Sequence, residues 1–303
     1  KRQCCRGGSD ALFSIHRALP GKELSAGMSL FCCPLCAAPL KRGERAYTCP
    51  SGHSFDIARE GYVHLLPANR KHSPQPGDDR AMSAARGRFL SKGYYAPLRD
   101  CLEALALRHT QGNAAPAVLD AGCGEGYYDA GLLEALAGAG KRPALAGVDL
   151  SKPSVKQAAR KCPAGEFAVA TVYHLPVGSA AADLLLNCFS PLALDEFRRV
   201  LRPGGVFLYV TPAAGHLWEM KEVLYDRPYR KREEAVSYEG FEYLEIVPVE
   251  TLMELSSQED LMDLFQMTPY AWKTPREGVE RLAGLSALAV TAAFRIHVFR
   301  RKR

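Results

Sequence analysis

The sequence predicts an α/β protein built on a parallel, doubly wound sheet, with a small cysteine-rich module in front of it. Three observations carry that expectation. Residues 118–127 join an apolar run to Asp120, then to Gly122, Gly124 and Gly126, and open a helical stretch over 127–137. From 117 to 211, strand-like apolar runs alternate with helical patterns, as a parallel sheet with crossover helices requires. Between residues 33 and 53, a Cys-x-x-Cys pair precedes a Cys-x-x-x-His pair.

The glycine stretch is a nucleotide cradle by its chemistry. Glycine lets a backbone approach a ligand closely, and a helix N-terminus offers N–H groups with no partner of their own. A dinucleotide fingerprint reads G-x-G-x-x-G, whereas this one reads G-x-G-x-G behind an acid. That variant resembles the cofactor loop of class I S-adenosylmethionine (SAM) methyltransferases. The next strand, 145–149, ends in Asp149, placed to accept hydrogen bonds from ribose hydroxyls. Ser151 then caps a helix running to about Lys161.

The chain has ten cysteines, and their spacing argues for metal rather than disulfides. Zinc takes four tetrahedral sulfur and nitrogen ligands, and Cys33, Cys36, Cys49 and His53 supply them from two tight turns joined by a short hairpin. With all four positions filled by protein, such a site is structural. Cys32 is an extra neighbour with poorer spacing. Cys101, Cys123, Cys162 and Cys188 read as small core residues.

Hydrophobic content of 47% and charged content of 24% suit a globular chain with a full core. No apolar run approaches the ~20 residues of a membrane span, so no membrane partner is expected. Residues 1–27 read as a disordered or non-native lead and make a poor signal peptide; they receive no function. The zinc module is expected over 28–66, a linker over 67–80 with the cations Arg70, Lys71 and His72, and the catalytic domain over 81–303. The net charge of +6 and the tail Arg300-Arg-Lys-Arg303 are compatible with a polyanionic partner.

Helices are expected over 81–90 and 98–108, with Arg86 and Arg88 on the solvent side. Further strands are expected at 167–170, from 183, at 206–211, at 241–249 and at 294–299, with helices at 216–225 and 257–266. The strand from 183 presents Asn187, Ser190 and Pro191 at its C-terminal edge, where open parallel sheets bind ligands. His174 is weighed there as a proton acceptor against a solvent-facing role.

Several stretches in order resemble one family: Cys-Pro-Leu-Cys (33–36), Cys-Pro-x-x-His-x-Phe-Asp (49–56), Glu-Gly-Tyr-Val (60–63) and Phe-Leu-x-x-Gly-x-Tyr-x-Pro-Leu (89–98). Leu-Asp-x-Gly-Cys-Gly-Glu-Gly-Tyr-Tyr (119–128), Gln-Met-Thr-Pro-Tyr-Ala-Trp (266–272) and Ile-His-Val (296–298) follow. The family is that of the RlmA-type guanine-N1 methyltransferases of 23S ribosomal RNA, which includes tylosin-resistance enzymes. The resemblance implies a class I SAM-dependent methyltransferase, Rossmann-like with a seven-stranded sheet, behind an N-terminal zinc-binding domain that aids RNA recognition. It implies Gly124 and Glu125 on SAM, Asp149 on its ribose, and Tyr95 and His216 also at the cofactor; Asp120, Gly122 and Gly126 complete the loop. It implies a 23S rRNA hairpin loop as partner, a homodimer, and a cytoplasmic location. Asn187-Cys-Phe-Ser-Pro191 is similar to the motif of the branch common in Gram-positive bacteria. A SAM-dependent enzyme acting on a small molecule or protein is the competing reading.

Overall fold

The computed structural model describes residues 28–67, 77–230 and 237–303. The lead 1–27 and the linker cations Arg70, Lys71 and His72 lie outside the described residues. The chain opens with a ribbon of β1 (Met28–Cys32), β2 (Pro39–Arg42), β3 (Ala46–Thr48) and β4 (Ser54–Asp56), each antiparallel to the next. β5 (Val63–His64), α1 (Arg80–Ser91) and α2 (Ala96–His109) lead to the main alternation. That alternation is β6 (Ala117–Ala121), α3 (Tyr127–Gly138), β7 (Ala144–Asp149), α4 (Lys152–Lys161) and β8 (Glu166–Val169). It continues as β9 (Ala182–Cys188), α5 (Leu194–Val200), β10 (Leu201–Pro212) and α6 (Trp218–Leu224). β11 (Phe241–Leu255), α7 (Gln258–Gln266), α8 (Arg276–Ala283) and β12 (Leu288–Arg301) complete it.

Local chemistry explains the helix starts. Asp79 accepts from the Met82 amide at 2.8 Å, Ser151 from Ser154 at 3.3 Å and Ser257 from Asp260 at 3.1 Å, each satisfying an orphan first-turn N–H. α3 differs: its N-cap is Gly126 at φ 78°, with no side-chain cap. Among the described residues no helix is long and apolar enough to cross a membrane.

The sheet runs β11-β12-β10-β9-β6-β7-β8-β5. Its order reverses between β6 and β9, which makes the crevice beyond their C-terminal ends the ligand position. The expected seven strands become eight, because β5 pairs in parallel with β8 and the Leu65 amide donates to Val169 at 3.0 Å. The 28–66 module therefore contributes a strand to the sheet that the next domain was expected to build alone. Two helices, α5 and α8, lay outside the sequence expectation, and β11 and β12 run longer than it.

Alternating residues of the central strands face two cores. Val118, Leu184, Leu186 and Leu208 join α1 to α4 and α6 to α8 on one face. Leu119, Ala146, Leu185 and Phe207 join α5 and the zinc ribbon, through Phe31, Leu40 and Tyr47, on the other. The ribbon thus takes the place of helices on the second face of a doubly wound sheet. Its polar clasp is Glu166, which accepts from Ser29 Oγ at 2.8 Å and Tyr47 Oη at 3.1 Å. The basic tail is partly used in the same way: Arg301 donates to the Leu201 carbonyl and Arg300 lies 3.5 Å from Glu242.

Removing the clasp tests the docking. Glu166→Ala is expected to lower unfolding stability by ~1–3 kcal/mol, since it leaves the buried Tyr47 hydroxyl unpaired. Urea denaturation reads the loss, and bound zinc measured by elemental analysis is expected to stay at the wild-type level.

Candidate functional site

The crevice at the β6/β9 switch is a cavity of about 720 Å³. One wall is the turn after β6, which is tied to β7. The Gly122 and Cys123 amides donate to the Val148 carbonyl at 2.8 and 3.0 Å, and the Gly124 amide donates to Asp149 Oδ2 at 3.0 Å. The opposite wall is the turn after β9, Cys188 to Pro191. The walls meet at Gly122, where a Cβ would come within 2.2 Å of Ser190 Oγ, so only glycine closes the corner. At Gly124 the backbone is left-handed, with φ 54°, and the space a Cβ would take is open. A side chain there would project into the room a ligand needs.

Asp149 is held from both sides, its Oδ1 taking the Ser151 amide at 2.7 Å. Burial raises its pKa, and the N–H bonds from Ser151 and Gly124 oppose that rise. Asp149 lines the cavity, and its carboxylate keeps acceptor capacity beyond these two bonds. Glu125 also lines the cavity, is buried, lies 3.7 Å from Lys161, and keeps one oxygen without a hydrogen bond. Tyr95 and His216 stand on the far side, each packed against Phe294 with ring centroids 4.8 Å apart. Burial and Lys221 hold the His216 pKa down to about 3, and its Nδ1 accepts from the Ala293 amide. The imidazole is therefore neutral and carries its proton on Nε2. These features fit SAM: a pocket for a nucleoside, a fixed carboxylate for its ribose, and open space at the glycine turn.

Three residues expected at the ligand stand behind the walls instead. Asp120 is buried beneath the glycine turn and does not line the cavity. Gly126 caps α3 and abuts Ala158. Asn187 is fully buried; its amide donates to the Ala121 carbonyl at 2.8 Å and to Pro191 at 3.3 Å, holding the two walls together. For Asp120 and Asn187 the reason is shared: strand residues alternate faces, and a motif position does not say whether a side chain points into the crevice or under it. Gly126 is instead fixed by the packing of the α3 cap against α4.

Sequence reasoning also missed contributors. Arg86 was expected in solvent, yet it lines the cavity, donating to Asp78 and, at 3.3 Å, to the Met267 carbonyl. Arg88 pairs with Asp263 of α7, its Nε 2.8 Å from Oδ2. Met267, Thr268, Tyr270 and Trp272, from the 266–272 motif, complete the mouth. His174 is exposed in a second cavity of about 650 Å³ between the ribbon and the 171–179 loop, so it is not a base for the first.

The zinc set assembles as its spacing predicted. The donor atoms of Cys33, Cys36, Cys49 and His53 all lie within 4.8 Å of one another. Cys36 and Cys49 sulfurs are 3.7 Å apart, and His53 Nδ1 is 3.4 Å from both Cys33 and Cys49. Tetrahedral zinc with bonds of ~2.3 Å to sulfur and ~2.0 Å to nitrogen asks for edges of roughly this length. Hydrogen bonds from the Ala38 amide and Ser51 lower the Cys36 thiol to about 6, which favours the thiolate a metal binds. Cys32 turns away, its sulfur beside Gly178 and Arg199.

Beneath the glycine turn, burial raises the pKa of both Asp120 and Asp129, the latter to about 8, and the two interact directly. As carboxylates, neither oxygen of Asp129 finds a donor. A shared proton supplies one. An acid whose folded pKa is raised from 3.8 to about 8 loses stability as pH climbs through that window. Asp129→Asn keeps a donor without titrating, and is expected to gain ~1–3 kcal/mol over wild type at pH 8 and none at pH 3. Urea midpoints across pH check it. Gly124→Val is expected to abolish SAM binding by calorimetry while zinc content stays intact; unchanged affinity would misplace the cradle.

Comparison with known proteins agrees with this geometry. A family model described as "RlmA, N-terminal" matches residues 31–74, and one described as "Methyltransferase domain" matches 118–205. The chain is 43% identical over 193 residues to the "23S rRNA (guanine(748)-N(1))-methyltransferase" of Streptomyces fradiae, covering 63% of this chain and 66% of that one. It is 37% identical over 293 residues to a Micromonospora griseorubida protein named "Putative 23S rRNA (guanine-N(1)-)-methyltransferase", covering 88% and 96%. A Bacillus subtilis (strain 168) protein of the same name, with the suffix YxjB, is 31% identical over 279 residues, covering 87% and 94%. A zinc ribbon packed on a SAM-type sheet, matched along nearly the full length of two relatives, makes the conclusion plain: this chain belongs to the RlmA family of 23S rRNA (guanine-N1)-methyltransferases.

Proposed function

We propose that the protein transfers the methyl group of SAM to N1 of a guanine presented by a hairpin loop of 23S rRNA. The observation that carries this reading is one cavity with the cofactor cradle on one wall, the Cys188-Phe-Ser-Pro191 edge on the other, and aromatic side chains at its mouth. Tyr173, Phe189 and Trp272 line it and remain 56%, 46% and 68% exposed. Guanine N1 is hidden in a Watson–Crick pair, so the base must be unpaired and splayed, and splayed bases stack on aromatic rings. Phe189 adopts φ 57°, a left-handed backbone unusual for a bulky residue, held by its amide donating to Val210 at 3.3 Å. Backbone strain of that kind clusters at ligand sites, and its position at the mouth supports the reading.

SAM, when bound, supplies an electrophilic methyl on a sulfonium. The protein's part is placement: the tied glycine turn and Asp149 set the donor, and the Cys188–Pro191 turn sets the acceptor plane. Holding reactants in near-attack geometry accounts for much of such a displacement. The N1 proton is lost before or during the attack and passes to solvent. The zinc ribbon extends the RNA path: the second cavity joins its Leu35 face to the 171–179 loop, and Thr171 lines both cavities. The reading includes a cytoplasmic location, where ribosomal RNA is met, and a homodimer, for which the family resemblance is the support.

The test uses purified protein, labelled SAM and unmodified large-subunit rRNA, with nucleosides read by mass spectrometry and the site mapped by primer-extension arrest. N1-methylguanosine at one loop position is the expected result. Full zinc and SAM occupancy with no methylated RNA would overturn the RNA assignment and leave a small-molecule or protein acceptor.

A further inference from the structure

SAM carries a carboxylate on its amino-acid arm as well as a ribose, and a buried carboxylate needs a cation or several donors. The cavity around the glycine turn is poor in cations. Asp78, Glu125 and Asp149 line it, with Asp120 and Asp129 behind. His216 is neutral there. Among the described lining residues, the one permanently charged cation is Arg86.

Its placement is built. α1 carries Arg86 into the cavity, and Asp79 caps that helix. Asp78 engages one Nη, and the Met267 carbonyl accepts from the other at 3.3 Å. A guanidinium has more N–H donors than these two bonds use. The charge bears on Tyr95 across the cavity and on Asp149 at the ribose position. Asp78 in turn is held through its carbonyl, which accepts from Ser151 Oγ at 2.7 Å, next to the Ser151 amide on Asp149.

We infer that Arg86 receives the amino-acid carboxylate of SAM, and that Asp78 and Met267 orient its guanidinium for that contact. This rests on the SAM reading of the cavity. It also gives the 266–272 motif a physical role: the carbonyl of Met267 orients the cofactor's cation, five residues before the exposed ring of Trp272 at the mouth.

The test is a pair of ligands and three variants, read by calorimetry rather than turnover. S-adenosylhomocysteine keeps the carboxylate; 5′-methylthioadenosine keeps the nucleoside and thioether without the amino-acid arm. Arg86→Met is expected to weaken S-adenosylhomocysteine by ~10- to 100-fold, the range of one charge-assisted bond, and to leave methylthioadenosine within ~2-fold. Arg86→Lys, which keeps the charge without the planar fork, is expected to fall between. Asp78→Asn, which keeps a hydrogen-bond acceptor to orient the guanidinium and removes only the competing charge, is expected to hold or raise S-adenosylhomocysteine affinity. Equal weakening of both ligands in Arg86→Met, or loss in Asp78→Asn to match, would make Arg86 a scaffold residue and overturn the inference. Failure of the wild type to bind either ligand would instead overturn the SAM site itself.

Discussion

The site depends on the binding of the glycine turn to β7. Three consecutive amides, those of Gly122, Cys123 and Gly124, donate to Val148 and Asp149. This single set of bonds places the open space at Gly124 and aims Asp149 by filling part of its acceptor capacity. Because Asp149 also takes the Ser151 amide, the cap of α4 and the Asp149 carboxylate belong to one network.

A second constraint is that a central sheet has two apolar faces and must cover both. Helices supply one cover. The other is mostly the zinc ribbon, whose Phe31, Leu40 and Tyr47 are buried against Leu119, Leu185 and Phe207. Burying each such side chain contributes ~1.5–3 kcal/mol, so the ribbon is part of the catalytic domain's core and not a tethered accessory. Four metal-donor groups within a short span let this small module hold its shape, and β5 then splices it into the sheet. The arrangement fixes the ribbon beside the mouth of the cofactor cavity, separated only by the 171–179 loop.

Electrostatics give the cavity its character. Carboxylates crowd the glycine turn, and a sulfonium cofactor brings positive charge to them. The acids behind the turn, Asp120 and Asp129, avoid mutual repulsion because burial raises both carboxyls and favours a proton between them. Arg86 offsets the remainder where negative charge from the cofactor would arrive.

Whatever depends on short spacing is encoded locally. The zinc set was legible because its ligands span residues 33 to 53, and tight turns bring such neighbours together regardless of the rest of the chain. The glycine turn, the Asp149 terminus and the Ser151 cap were legible for the same reason. Tertiary structure alone decided which way side chains faced and what met across the sheet. It put Asn187 and Asp120 behind the walls, drew Arg86 out of solvent, sent His174 to a second cavity and added β5 as an eighth strand. Such outcomes hang on partners far apart in the chain, Arg86 and Met267 being 181 residues apart and β5 pairing with β8 from the other side of four helices, and no local pattern encodes such distances.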